Sequence, residues 1–445
     1  MSRFSQWAGY ALAATVTMAL ASSALSQSPA APSSPKDAST PSSSKVEISE
    51  ASRQWLEFAN ELGKAGLRIH ELADGARTKE QQGEVNQALT WALTAAVLAF
   101  SRMDPDYPEW IPILNSAMLG INNNHDNVYL ITRIRGSGSY KIEGDRGRLK
   151  FLLLELSNGL PAITPTTSHI GDYDLNEMKP EPDGRFEVLL SANRPAGFDG
   201  NWIALDPKAE ETFLALREVS YDWKKDRDAN LSIQRIDRPI NMPRRSAADT
   251  SERLSQIPKY VAGILTIFLR IQDQQGFLKE EPNRLWDGTK GFGNASAVNI
   301  PKQIYQMGEV RLKSDQALVL EGEIPRACDY WSIMLMDTAA NTLDFMFHKS
   351  GINGANARID PDGKLRMVIS ERDPGVQNWL DEGTYEVNGI RGRFLKCGNP
   401  VWVSKVVPIE GVMDALYPGT PRVSFDERQK ELRERLQQVQ HRRRW

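Results

Sequence analysis

A stretch of this chain occurs twice. Pro182-Asp183-Gly184-Arg185 is followed by Val188-Leu189-Leu190-Ser191, then Pro195, Gly197 and Asn201-Trp202. Pro361-Asp362-Gly363-Lys364 is followed by Met367-Val368-Ile369-Ser370, then Pro374, Gly375 and Asn378-Trp379. The spacing is constant from proline to serine, and the second copy closes up by two residues before Asn-Trp. Internal repeats fix architecture before any residue-level argument, so two units of one design are expected. Pro pre-sets φ at the first central turn position and Gly accepts the positive φ other residues resist, so each Pro-Asp-Gly reads as a hairpin turn feeding a strand.

Around the repeats the period of the apolar pattern changes. Ile48, Ala51, Trp55, Phe58, Ala59, Leu62, Ala65, Ile69 and Leu72 recur at helical spacing. Thr78 with Gln81 reads as a capping box opening a second helix, whose stripe is Val85, Ala88, Leu89, Ala92, Leu93, Ala96, Val97 and Phe100. The short connection predicts a helical hairpin. From Val128 onward come short runs rich in β-branched and aromatic residues, bounded by Gly, Asp, Asn and Pro, which is the strand signature. Such runs are Val128–Ile131, Tyr140–Ile142, Leu149–Leu156, Phe186–Leu190 and Phe213–Val219, then Ala317–Leu320, Tyr330–Met336, Leu365–Ile369 and Tyr385–Ile390. Between the copies Leu254, Ile257, Val261, Ile264, Leu265, Phe268 and Ile271 predict a helix with Pro258 in its first turn, followed by a loop from Gly276 to Ala297. Ser424 and Glu427 cap a charged C-terminal helix, either docked on its own domain or forming a dimer or lipid contact.

The two ends and the cysteines bear on location. Arg3 precedes an apolar run from Ala8 to Leu25, with Ala24 and Ser26 at −3 and −1 before Gln27. That is the pattern of a cleaved secretory signal. The alternative, a retained anchor, is opposed by Gly9, Thr15, Thr17, Ser22 and Ser23 within the run. Export would place the protein in the periplasm or outside the cell, and no later stretch is long enough to span a bilayer. Cys328 and Cys397 flank the second copy and are either a disulfide or two buried thiols. With net charge −3 and acids and bases well mixed, no nucleic-acid partner is expected. Two cysteines and five scattered histidines make no zinc pattern, and neither metal nor cofactor is implied.

Candidate functional residues are few. Trp202 and Trp379 either plug their sandwiches or wall equivalent ligand pockets. His169, Asp172 and Asp174 carry metal-ligating groups in what reads as a loop. Asp381-Glu382 and Asp360/Asp362 are paired carboxylates that read more simply as turn residues. Arg146, Arg391 and Arg393 lie in or beside strands and either clamp an anion or are solvated edge charges. Tyr129, Arg146 and Asp373 are where convergence near the aromatics would first be sought, giving a ligand-binding set of Tyr129, Arg146, Trp202, Asp373 and Trp379. No P-loop, dinucleotide fingerprint or Gly-x-Ser-x-Gly elbow occurs.

Several of these residues carry a family resemblance. Leu318–Leu320, Tyr330-Trp331-Ser332-Ile333, Pro361-Asp362-Gly363, Asp373–Val376 and Asn378-Trp379-Leu380-Asp381 resemble the bacterial domain-of-unknown-function family 1214. Asn124–Tyr129 and Tyr140–Gly147 are similar to the upstream part of its long members, so the resemblance covers most of Asp104–Arg393. It implies jelly-roll β-sandwiches and allows a homo-oligomer. Asp381 stands where many relatives have Pro, and no catalytic residues carry over. The expected fold is mainly β: two related jelly-roll-like sandwich units, an N-terminal helical hairpin, a connecting helix and a C-terminal helix. The expected boundaries are 1–26 signal, 27–45 disordered linker, 46–103 helical hairpin, 104–238 first unit, 239–303 linker with helix, 304–408 second unit and 409–445 helical tail. The expected role is binding of a carbohydrate or hydrophobic small molecule in an aromatic-lined cleft, the alternative being an enzyme acting there on a lipid, steroid or aromatic compound.

Overall fold

A computed structural model of the chain describes residues 48–73, 78–180, 185–277, 281–289, 303–384 and 387–442. The signal and linker segments and the first Pro182-Asp183-Gly184 turn lie outside the described residues. The first set of strands is β1 (Ile111–Leu114), β2 (Asn127–Ile134), β3 (Tyr140–Asp145), β4 (Phe151–Asn158), β5 (Ser168–Asp174), β6 (Phe186–Ser191), β7 (Asn201–Ala204), β8 (Thr212–Val219) and β9 (Asn230–Arg235). The second set is β10 (Arg284–Asp287), β11 (Gln303–Arg311), β12 (Gln316–Glu323), β13 (Tyr330–Met336), β14 (Gly351–Asn353), β15 (Lys364–Ser370), β16 (Trp379–Asp381), β17 (Val387–Leu395) and β18 (Trp402–Pro408).

Four sheets result, in the orders β1-β2-β8-β4-β5 and β7-β6-β3-β9, then β10-β11-β17-β13-β14 and β16-β15-β12-β18. Adding nine to each label of the first pair gives the second pair. Even the unusual parallel pairings, β6 with β7 and β15 with β16, recur. The duplication legible in one stretch therefore extends to every strand. Each sandwich closes over its own core. Leu152, Leu154, Leu156, Leu214 and Leu216 face inward in the first, and Ile333, Leu335, Ile390 and Phe394 in the second. Side chains alternate along a strand, so the neighbouring positions on β2, β8, β11 and β17 point out of their sandwiches.

Those outer faces are covered by helices α1 (Glu50–Leu72), α2 (Lys79–Arg102) and α3 (Ala247–Gln274). Buried alanines 88, 92, 95, 96 and 99 on α2 join Tyr260, Val261 and Leu265 on α3 in one core with Ile131, Phe213, Met307 and Met336 of the sheets. The capping box of Thr78 with Gln81 is present. Helix α1 packs chiefly on α3 rather than α2, so the pattern that predicts a hairpin builds a three-helix layer. Only Ala65 and Ile69 of the α1 stripe are buried, and Trp55 is 60% exposed.

Three local readings change. Pro258 does not sit in the first turn, because Ser246 caps the helix and it runs from Ala247, leaving Pro258 in the interior. The segment Gly276–Ala297 is not all loop: Arg284–Asp287 adds edge strand β10 to β11. His169, Asp172 and Asp174 lie on edge strand β5, whose polar sequence suits an edge and hides its strand character. Helix α4 (Phe425–His441) has the Ser424–Glu427 capping box and buries Arg428, Arg435 and Val439 against its own chain. Arg435 donates to the Phe345 carbonyl at 2.8 Å and stacks over Trp223.

A candidate arginine-lined cavity between the sandwiches

The outward residues of β2 and β8 meet those of β11 and β17 across a cavity of about 120 Å³, roofed by α2 and α3. Trp91, Phe213, Tyr260 and Phe268 supply its apolar wall, and Trp91 donates from Nε1 to the Ile113 carbonyl at 2.8 Å. Gly120 is required beneath Trp91: a Cβ there would lie 2.4 Å from the indole. The polar lining is duplicated. Tyr129 opposes Arg217 across β2–β8, and Tyr305 opposes Arg393 across β11–β17. Two residues earlier on the same strands stand Asn127 and Gln303, and all six side chains line the one cavity. The site is thus assembled from equivalent positions of both copies.

The copies differ behind this lining. In the first, Glu155 of β4 lies opposite Ala215 and pairs with Arg217 at 2.8 Å. In the second, Met334 holds the position of Glu155 and Arg391 that of Ala215, again opposite each other. Arg393 donates to the Met334 sulfur at 2.9 Å and to the Asn122 carbonyl at 2.6 Å. Arg391 donates to Gln275 Oε1 at 3.1 Å, while its Nε has no hydrogen-bond partner among the described residues. Burial is the largest influence on Arg391, and the Arg393 charge adds to it. Together they pull its guanidinium down to about 9, opposed only in part by Tyr305 and Tyr129. Burial also works against the Arg217 charge, but Glu155 and the nearby tyrosines outweigh it and hold Arg217 above its ordinary value. Burial pushes the Tyr260 phenol to about 12, so it stays neutral at the cavity wall.

A second, open groove of about 730 Å³ lies between α1, α3 and the loop 161–167. It shares Pro161 and Ile264 with the cavity, so these two side chains stand between them. Arg68, Lys259 and Arg270 line it, beside a Lys64–Glu61 pair at 2.7 Å.

Residues 132–220 and 307–389 match the family described as Protein of unknown function (DUF1214). These two segments are similar to the DUF1214 family. The two matched segments fall one in each sandwich; the first carries Arg217, and the second runs from within β11 to the start of β17, ending before Arg391 and Arg393. Among solved structures, an uncharacterised protein from Burkholderia cenocepacia is 22% identical with a TM-score of 0.72, covering 82% of this chain and 98% of its own. That likeness shows the shared fold. A Vibrio parahaemolyticus protein is 12% identical with a TM-score of 0.43, covering 72% of this chain and 100% of its own. No curated protein matches the sequence.

The residues singled out from sequence scatter. Tyr129 lines the cavity and accepts from Asn127 Nδ2 at 3.1 Å. Arg146 lies elsewhere, donating to the carbonyls of Leu175, Asn176 and Met178. Trp202 and Trp379 do not line the cavity. Trp202 donates to Ser191 Oγ at 3.0 Å, and Trp379 donates to the equivalent Ser370 Oγ at 3.1 Å. Asn201 bridges Lys179 and the Glu187 carbonyl, as Asn378 bridges Arg358 and the Arg366 carbonyl. The repeated Asn-Trp is therefore the same clasp made twice, tying a parallel strand to its neighbour. Asp373 and Trp379 do come together, both on Arg428 of α4: a 2.8 Å ion pair and a 5.2 Å stack.

The other candidates have structural partners. Cys328 and Cys397 form a disulfide joining the start of β13 to the end of β17. Asp360 and Asp362 both hold Arg366, and Asp381 pairs with His348 at 2.7 Å. Glu155, His169 and Asp172 gather their ligand atoms within 4.8 Å, a set that replaces Asp174 with a residue sequence reasoning did not choose. Arg217 already occupies Glu155, and its charge opposes a cation beside it. Among the described residues the sequence reading missed Arg217 and Tyr305 and left Arg391 and Arg393 among solvated alternatives. They are 6%, 4%, 1% and 4% exposed.

Proposed function

We propose that this protein binds a small, largely apolar molecule in the cavity between its two sandwiches, and does so after export to the periplasm or beyond the cell. The observation that carries the reading is the duplicated lining. Both copies send an amide, a tyrosine and an arginine to one cavity whose remaining walls are largely aromatic and aliphatic. Ligand sites are concave, mostly apolar and oriented by a few polar groups. The size suits a single-ring or short-chain molecule, since an apolar cavity of about 150 Å³ takes a benzene-sized guest.

Binding is favoured over catalysis by what the lining offers. Among its described residues there is no carboxylate, histidine, lysine, serine or cysteine, so acid–base or nucleophilic chemistry would have to fall to tyrosine or arginine. Export is supported by the signal-like N-terminus and by the Cys328–Cys397 disulfide, which suits an oxidising compartment. No helix among the described residues is long and apolar enough to cross a membrane.

The test is to fill the cavity. Ala215 lines it at the place where the second copy carries a long side chain. Native mass spectrometry of protein purified without added ligand should find a small molecule on the wild type and none on Ala215→Phe. The same bound mass on both, or none on either together with no thermal response to small aromatics, would remove the proposal.

A further inference from the structure

We infer that the second copy's half of this cavity binds an oxyanion, so that the molecule taken there is a small organic monoanion: one carboxylate or sulfonate on an apolar body. The inference rests on the binding role proposed above and adds the ligand's charge.

The argument begins with what duplication kept and what it changed. The Tyr–Arg pair is kept in both copies. The carboxylate behind the arginine is present in the first copy as Glu155 and absent in the second, where Met334 stands. A thioether is only a weak acceptor, so Met334 satisfies a donor of Arg393 without answering its charge. The second copy also gains Arg391 where the first has Ala215. Residues two apart on a strand share a face, so Arg391 and Arg393 present two guanidinium groups to one wall. Neither has an ion pair with a carboxylate among the described residues, although 1% and 4% of their surfaces are exposed.

An isolated buried charge is expensive to keep unless something pairs with it. Guanidinium groups match oxyanions in charge and in the geometry of their paired N–H donors. Arg391 Nε, buried and without a hydrogen-bond partner among the described residues, is a donor available for that purpose. Arg217, already neutralised by Glu155, is not, which confines the anion to the second copy's half. The aromatic wall of Trp91, Phe213 and Phe268 then takes the apolar body. Arg68, Lys259 and Arg270 in the adjoining groove would raise the local concentration of anions near Pro161 and Ile264.

The test uses benzoate and its neutral isostere benzamide, titrated calorimetrically into the full mature chain. Two variants exchange a second-copy residue for its first-copy counterpart. Met334→Glu supplies the missing carboxylate, and Arg391→Ala removes the extra cation. Near-ultraviolet circular dichroism establishes that each is folded, and Arg391→Ala removes a buried charge rather than adding one. The wild type should bind benzoate roughly tenfold or more tighter than benzamide, the effect of a charge-assisted hydrogen bond or two. Both variants should lose that preference and still bind benzamide. Equal binding of benzoate and benzamide by the wild type would overturn the anion inference and leave the apolar binding site standing. So would unchanged benzoate preference in Met334→Glu. Failure of the wild type to bind either compound would overturn both.

Discussion

In the first sandwich Arg217 faces the shared cavity with Glu155 pressed against it; in the second Arg393 faces the same cavity held by the Met334 sulfur and the Asn122 carbonyl, with Arg391 beside it and no carboxylate paired to either among the described residues. The strand order, the parallel strand and the Asn-Trp clasp are the same in both. The difference lies on the outer face of one sheet, where the copies look at each other. Features set by folding are repeated, and the departure is in charge balance at their meeting place. One copy is electrostatically closed there and the other is open.

The copies can be pushed apart or made alike by substitution. The largest effect should come from Cys397→Ser, because only the second sandwich carries a disulfide. Its cysteines are 69 residues apart in sequence, and the chain-entropy account of such a loop gives a loss of about 4 kcal/mol. Chemical denaturation should show it, with unfolding starting in the second sandwich. Glu155→Met makes the first copy resemble the second. It strands the buried Arg217 charge and should cost about 3 kcal/mol, read from the denaturation midpoint, with added benzoate recovering part of it. Loss of only a few tenths would mean that Arg217 is not held by Glu155.

The clasps differ in burial. Asn378 is 8% exposed and Asn201 is half-buried, so Asn378→Ala should cost about 2 kcal/mol and Asn201→Ala about 1 kcal/mol. Equal values would say that the two clasps experience the same solvent. A further effect is one of pH. Asp337 follows β13 where Asn158 ends β4 in the first copy. Burial, reinforced by the Glu84 charge, raises its carboxyl to about 7. A raised carboxyl binds its proton more tightly folded than unfolded, so its contribution is full below the ordinary value of 3.8 and lost as pH climbs through about 7. Asp337→Asn, which installs the first copy's residue, should therefore flatten the fall in stability between those values, measured by denaturation at pH 5 and pH 7.5. An unchanged slope would clear Asp337.

The sequence made the fold legible because the period-2 runs and the repeat agree. Edge strands β5, β10 and β14 were not legible, being short or polar and paired on one side only. The site was less so. Alternation predicts that Arg391 and Arg393 point away from their own core, and a single sandwich would leave such side chains in water. What alternation cannot show is that this outer face is buried against a second sandwich and α3. Tyr129 was found because it is aromatic in a strand; its counterpart Tyr305 could have been found by extending the repeat beyond Asn-Trp to the strands that pair across it. Trp202 and Trp379 drew notice through repetition itself, and repetition here marks the clasp, not the cavity.

The most direct measurement is bromine anomalous diffraction from crystals of the protein grown with 4-bromobenzoate. The account predicts one bromine peak inside the cavity toward Trp91 and Phe268, with the carboxylate density at Arg391 and Arg393. A bromine peak toward those arginines with the ring reversed, or an empty cavity at saturating ligand, would contradict it.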